Sequence, residues 1–260
     1  MANNIIHISV DDVIQIFKEL TEQKPFTIFD MPFFYFFKRL HEKYGLVVSL
    51  YCFYLHEDFT LASCTRNYRA EFEANSDWLR FGFHGYSGEE DYQTQDNTDS
   101  ERQYDIVMNN LAEIVGEKAL DATTRIHRFK ATKEFMMYMS HTKHPVHALL
   151  GSDDNRLSYS LTVEENLLLL KKGIYCVNDI RIIRTTQRFD YLKPLPVFRL
   201  FTHLWRGGEG KYFFTHEYYF FPGSTLMKIK GMIIKCLIQM TVIYYRYCLF
   251  CVCDFPVNNK

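Results

Sequence analysis

The stretch Ile5-Ile6-His7-Ile8-Ser9-Val10-Asp11-Asp12 decides how this chain is read. Ile5–Val10 is a short β-branched run with the composition of a strand. Val13, Ile16, Phe17 and Leu20 follow at helical spacing, with no hairpin turn between. A strand that feeds directly into an amphipathic helix is half of a βαβ unit. The two carboxylates sit at the junction, where the strand delivers its side chains to the edge of a sheet.

The same alternation runs on. Asp30 can cap a helix that has Pro32 in its first turn, runs to Tyr44 and stops at Gly45. Leu46–Tyr54 and Trp78–His84 read as the second and third strands. Residues 85–99 form a polar loop, and Ser100 with Gln103 make a capping box for a helix ending at Gly116. Thr123–Phe129 reads as a fourth strand, followed by a helix through Phe135 and Tyr138. Val146–Leu150 reads as a fifth. Thr162 and Glu165 form a second capping box, with Gly173 after that helix. Ile174–Val177, Val197–Thr202 and Tyr212–Phe221 complete the strands. Strands separated by helices of this length imply a parallel sheet. Seven or eight such units in 260 residues predict one α/β domain, residues 1–260, closed as a (β/α) barrel. An open doubly wound sheet is the alternative. It usually carries a glycine-rich nucleotide loop, and neither GxGxxG nor GxxxxGK occurs.

The bulk composition narrows the function classes. A hydrophobic fraction of 47% with 23% charged residues excludes a disordered chain. A net charge of −1 gives no nucleic-acid footprint. The start has no basic n-region, so no signal peptide is expected, and the seven cysteines read as reduced thiols of a cytoplasmic protein. Gly231–Cys253 is long and apolar enough to raise a membrane span. Lys235 and Arg246 would both lie inside it, at a cost of about 3 kcal/mol each when central. The reading adopted is a final helix, Thr225–Met240, and a final strand, Val242–Cys251, with no membrane partner.

Asp11-Asp12 is the sharpest chemical signal. Adjacent carboxylates repel, which raises one pKa unless a cation intervenes. A divalent ion resolves the conflict if one Asp ligates it and the other stays free as a base. An acidic pair capping the following helix is the bland alternative. His84 ends the third strand before a polar loop, in the place of an imidazole ligand. His127 and Arg128 end the fourth, Asp153-Asp154 follow the fifth, and His216 stands late in the chain before Glu217. Each has a dull explanation alone. The strand-end position recurs, and barrel enzymes build their sites on that face.

These residues together resemble a family. Ser9-Val10-Asp11-Asp12 is similar to the first motif of the polysaccharide deacetylases (carbohydrate esterase family four), and Phe81-Gly82-Phe83-His84 to the second. Arg125-Ile126-His127-Arg128-Phe129 falls where the family has its arginine-bearing motif, Asp153-Asp154 near the fourth motif, and Phe214-Thr215-His216-Glu217 resembles the closing one. The resemblance implies a distorted barrel and a divalent ion such as Zn²⁺. It implies Asp12 and His84 as ligands, Asp11 as base and His216 as general acid, and Arg128 is expected to orient Asp11. The family's second motif carries a further His where this chain has Ser87 and Gly88. His127 is the expected substitute ligand, with waters filling the site as the alternative. Leu200-Phe201-Thr202-His203 rivals His216 for the closing motif. Glu217 favours His216, since a neighbouring carboxylate can fix an imidazole tautomer or raise its pKa. The function implied is a metal-dependent hydrolase that removes N- or O-acetyl groups from a carbohydrate. The competing reading is a non-catalytic carbohydrate-binding barrel with a degenerate site.

Overall fold

The computed structural model describes residues 6–192 and 211–247. Five parallel strands form one sheet: β1 (Ile6–Val13), β2 (Val48–Phe53), β5 (Leu79–Gly85), β10 (Gln187–Arg188) and β11 (Lys211–His216), in the order β10-β11-β1-β2-β5. A second sheet has the order β6-β7-β9-β8, from β6 (Thr123–Thr124), β7 (Ala148–Leu150), β8 (Ile174–Val177) and β9 (Ile180–Ile183). The two sheets meet where Phe81 bridges Leu120 in parallel and the Asp121 N–H donates to the Phe81 carbonyl at 2.8 Å. On the other side β9 leads into β10 through residues 184–186, and the Thr186 N–H donates to Tyr212 O at 2.8 Å. A two-residue hairpin, β3 (Leu55–His56) with β4 (Phe59–Thr60), stands outside both.

The β1 sequence shows why the sheet is covered on both faces. Ile8 and Val10 join the apolar cluster that holds Phe17, Phe34 and Phe37 of the first two helices, α1 (Gln15–Gln23) and α2 (Pro32–Tyr44). The alternate residues His7, Ser9 and Asp11 turn the other way and are buried too. There they meet Ser49 and Arg125. Parallel strands buried on both sides read as continuous hydrophobic runs, and Val48–Phe53 is buried at every position. Phe33, Phe37 and Phe220 interlock α2 with the turn after β11, with ring centroids 5.0–5.5 Å apart.

The remaining α-helices among the described residues are α3 (Arg69–Ala74), α4 (Asn97–Val115), α5 (Lys133–His141), α6 (Val163–Lys172) and α7 (Thr225–Tyr247). Thr162 and Glu165 form the expected capping box of α6, and Gly45 and Gly173 end α2 and α6 in the left-handed conformation. Gly231 lets α7 approach the turn after β11, because a Cβ there would lie 2.2 Å from Tyr219 O.

Several boundaries differ from the sequence reading. Asp30 does not cap α2. It pairs with Thr27 in a capping box around the 3₁₀ turn Ile28–Asp30. Helix α4 starts at Asn97, because Asp96 accepts from the Thr98 N–H, and Ser100 is an interior residue whose hydroxyl donates to Asp96 O. The fourth strand stops at Thr124. Beyond it, side chains of β5 and β6 take over the backbone groups: Thr124 Oγ1 donates to Phe83 O, and Arg125 O is held by His84. His127–Phe129 is therefore a 3₁₀ turn, with φ of 59° at Arg128 and 60° at Phe129. Ile174–Val177 is an antiparallel edge strand, and the parallel strand beside β7 is Ile180–Ile183, which the sequence reading passed over. The expected final strand is helical up to Tyr247, since Thr241 and Val242 continue the buried stripe of Ile234, Leu237 and Ile238. Val197–Thr202 and His203 lie outside the described residues.

Candidate metal centre

The site is assembled where β1, β5 and β11 end. Strand β1 slips register against β2 between Val10 and Val13, and Asp12 there has φ of 60°. A bulge adds a residue and re-aims its neighbours. Asp11 is consequently buried against Arg125, while Asp12 reaches the cleft. His84 is the penultimate residue of β5, and His127 enters from the 3₁₀ turn after β6.

Asp12, His84 and His127 converge. Asp12 Oδ1 lies 3.1 Å from His84 Nε2 and 3.7 Å from His127 Nδ1, and the two ring nitrogens are 3.3 Å apart. His84 Nδ1 is 2.5 Å from Arg125 O, which accepts the ring proton and leaves the lone pair on Nε2. Asp12 Oδ1 is buried and makes no hydrogen bond. Three acceptor atoms thus face one point. A tetrahedral ion with bonds of about 2.0–2.1 Å holds its ligand atoms about 3.3 Å apart, so the donor set fits such an ion. Protonation states agree. Burial pushes the Asp12 carboxyl up, but the imidazoles around it, His84 at 3.1 Å with His216 and His127, outweigh burial and hold the pKa at about 2. Burial, reinforced by the charge of His84, lowers His127 to about 4. An ionised carboxylate and a neutral imidazole are the forms that bind metal.

The arginine that reaches Asp11 is Arg125, not Arg128. Arg125 Nη1 donates to Asp11 Oδ1 at 2.8 Å and Oδ2 at 3.0 Å, and to Ser9 Oγ at 2.8 Å. Its Nη2 donates to Thr185 Oγ1, and its guanidinium lies 4.0 Å above the Phe214 ring. Arg128 leaves the site because of its turn conformation and donates to Gly88 O at the exposed rim.

His216 ends β11, paired across the register with Asp11. Its Nδ1 hydrogen bonds to Asp190 Oδ2, and Asp190 Oδ1 accepts from Thr215 Oγ1 at 2.6 Å. Burial works against the imidazolium, yet the Asp190 carboxylate, helped by Asp12 and Asp11, raises the His216 pKa overall. Tyr218 stacks on the imidazole at 5.3 Å. Glu217 does not hold His216. Its carboxylate accepts the N–H groups of Ile14, Gln15 and Ile16 at 2.7–2.9 Å and so caps α1. Burial pushes its pKa up to about 7 against those three donors. Asp153 and Asp154 are engaged elsewhere. Asp153 takes the fork of Arg188 at 2.5 and 2.9 Å, and Asp154 is held by Ser152 and Arg156.

A cleft of about 1070 Å³ opens over Asp12 and His127, walled by Phe53, Tyr218 and Phe221 among others, with His84 buried behind them. Two residues of this constellation escaped the sequence reading. Arg125 stood in the quoted segment, but its partner could not be told from Arg128 without the turn. Asp190 follows β10 in Arg188-Phe189-Asp190, and with Ile180–Ile183 unread there was no strand end to which it could be assigned.

No family model matches the chain, and no curated protein matches it in sequence. Solved structures do match in shape. A 4-alpha-glucanotransferase from Thermococcus litoralis aligns with a TM-score of 0.57 at 12% identity, over 93% of this chain and 38% of that one. A protein from Mycobacterium smegmatis assigned to the polysaccharide deacetylases aligns with a TM-score of 0.50 at 10% identity, over 93% of this chain and 84% of that one. The Xyl-CE4 domain of a multidomain xylanase from the hindgut metagenome of Trinervitermes trinervoides aligns with a TM-score of 0.48 at 10% identity, over 96% and 87%. The chain has a polysaccharide deacetylase-like fold in a divergent form.

Proposed function

We propose that this protein is a metal-dependent hydrolase that removes acetyl groups from a carbohydrate, on a single domain whose two sheets close into a distorted (β/α) barrel of seven or eight parallel strands. The observation that carries the reading is the convergence of Asp12, His84 and His127 beside two charge-paired groups, Asp11 with Arg125 and His216 with Asp190.

Asp12, His84 and His127 would hold the ion, which would supply Lewis acidity toward an acyl carbonyl. The other residues handle protons. Asp11, held in place by Arg125, is the base that takes a proton from the attacking water. His216 is the acid that gives a proton to the departing nitrogen or oxygen. Asp190 favours its charged form and, by engaging Nδ1, leaves Nε2 to carry the transferable proton. Phe53, Tyr218 and Phe221 offer apolar faces to a sugar ring. The proximity of His127 to Asp12 and His84 favours this reading over the non-catalytic alternative, which rests on Ser87 and Gly88 standing where the resemblance expects a His. The experiment is acetate release from N-acetylglucosamine oligomers and acetylated xylan by metal-loaded protein. Release that depends on Asp11 and His216 is expected. Binding of the oligomers without acetate release would favour the non-catalytic reading.

A further inference from the structure

Helix α7 is apolar on two sides. One stripe, including Ile234, Leu237 and Ile238, is buried against the body. The opposite stripe is not: Leu226 is 62% exposed, Ile229 47%, Met232 59%, Ile233 44% and Met240 48%. Leu226, Ile229, Met232 and Ile233 fall three or four apart across successive turns and Met240 lies seven beyond Ile233, so they share one face. A surface helix normally turns its second face polar. An exposed apolar patch with a polar rim marks a surface that meets something else.

The rim of this patch is cationic. Helix α7 contains no Asp or Glu. Lys228 and Lys235, seven residues apart, lie along one flank with Gln239. Helix α2 adds Arg39 and Lys43 to that flank, where a notch of about 60 Å³ between the helices is lined by Arg39, Lys43 and Gln239. Among the described residues none of these four cations has a carboxylate partner. Arg39, Lys43 and Lys235 lie over the rings of Tyr35, Tyr44 and Phe220, and the one acid nearby on α2, Glu42, pairs with Lys38.

We propose that α7 and the adjoining edge of α2 dock this protein on an anionic lipid surface. The helix lies in the plane of the interface, with Leu226, Ile229, Met232, Ile233 and Met240 at the acyl boundary and the four cations at the phosphate headgroups. Charge selects this occupant over a second copy of the chain, since two α7 helices would bring Lys228 and Lys235 together with no carboxylate on either. No described helix is long and apolar enough to cross a membrane, and the buried stripe keeps α7 on the body. Lys228 also lines the cleft, so a docked molecule opens that cleft beside the lipid.

The test is flotation of the full chain with vesicles of phosphatidylcholine alone and of phosphatidylcholine mixed with phosphatidylserine. Binding to the mixed vesicles that weakens with added salt is expected, and Lys228→Glu with Lys235→Glu should reduce it by at least roughly tenfold, from about fivefold per cation removed. Ile229→Glu with Met232→Glu should abolish it without changing the far-ultraviolet circular dichroism. Met232→Trp supplies a second readout that needs no disruptive change, a blue-shifted emission on the mixed vesicles. The proposal is overturned if neither vesicle floats the protein and the emission does not move. It is equally overturned if Ile229→Glu instead converts a dimer to a monomer, which would make the face a self-interface.

Discussion

Arg125 Nη1 lies within 3.0 Å of both carboxylate oxygens of Asp11, and both residues are buried. The pair joins the turn after β6 to the end of β1 across 114 positions of sequence. A buried ion pair is weak evidence for stability as such, but removing one partner strands the other charge in a medium that cannot solvate it. Arg125→Met is therefore expected to destabilise the protein by about 3–5 kcal/mol and to abolish hydrolysis. Arg128→Met should leave stability within about 0.5 kcal/mol, as a rim substitution does. Denaturant titration of both variants checks this, and equal losses would return the orienting role to Arg128.

The His216–Asp190 pair makes a pH prediction. Asp190 raises the His216 pKa, so the protonated acid survives to higher pH, and its contribution is lost as pH rises through that raised value. Asp190→Asn should move the alkaline limb of kcat/KM to lower pH, and His216→Ala should cost roughly 10²–10⁴-fold in rate. Rate profiles of both variants decide it. An unmoved alkaline limb in Asp190→Asn would mean that another group sets it.

Glu217 is assigned to architecture. Three N–H groups at the start of α1 depend on its carboxylate. Glu217→Ala should cost about 2–4 kcal/mol, from several buried donors left unsatisfied. The alkaline limb set by His216 should stay where it was in the residual activity. A shift of that limb would restore the direct contact with His216 expected from sequence.

His7 tests the interior. Its ring is fully buried, with Nε2 3.1 Å from Ser49 Oγ and Nδ1 unpartnered. Burial, with the charge of Arg125, lowers its pKa to about 3. The unfolded chain then binds the extra proton first. The stability owed to neutral His7 is complete above pH 6.5 and is lost as pH falls from there toward 3. His7→Phe should flatten this acid limb by on the order of several kcal/mol, measured as unfolding free energy against pH. An acid limb as steep as before would assign the proton uptake to other groups.

How much of this could be read from the sequence depended on whether a signal was local. Strand β1, its two acids and the helix behind it are contiguous, and so are Thr162 with Glu165 in their capping box. The ligand-type residues Asp12, His84 and His127 were legible because each follows or ends a recognisable apolar run. What failed was conformational or distant. The positive φ at Arg128 exchanged the arginines, and the 3₁₀ turn it creates ended a strand that composition would have continued. Asp190 acts on His216 from 26 residues away, through a strand only two residues long. Glu217 and His216 are neighbours in sequence, but adjacent side chains leave a strand end on opposite sides, so proximity in sequence misled. The second face of α7 was not separable in the apolar run Gly231–Cys253, where apolar residues are compatible with burial and with exposure alike.

Asp12, His84 and His127 are proposed to hold a divalent ion. Calorimetric titration of chelator-treated protein with Zn²⁺ tests it without reference to any substrate. One equivalent should bind, with the midpoint of thermal unfolding rising as metal is added. Asp12→Asn, His84→Gln and His127→Gln should each weaken binding by at least roughly tenfold, while Asp11→Asn should retain it. Absence of binding by the unmodified protein, or binding that survives loss of His84 and His127 together, would contradict the account.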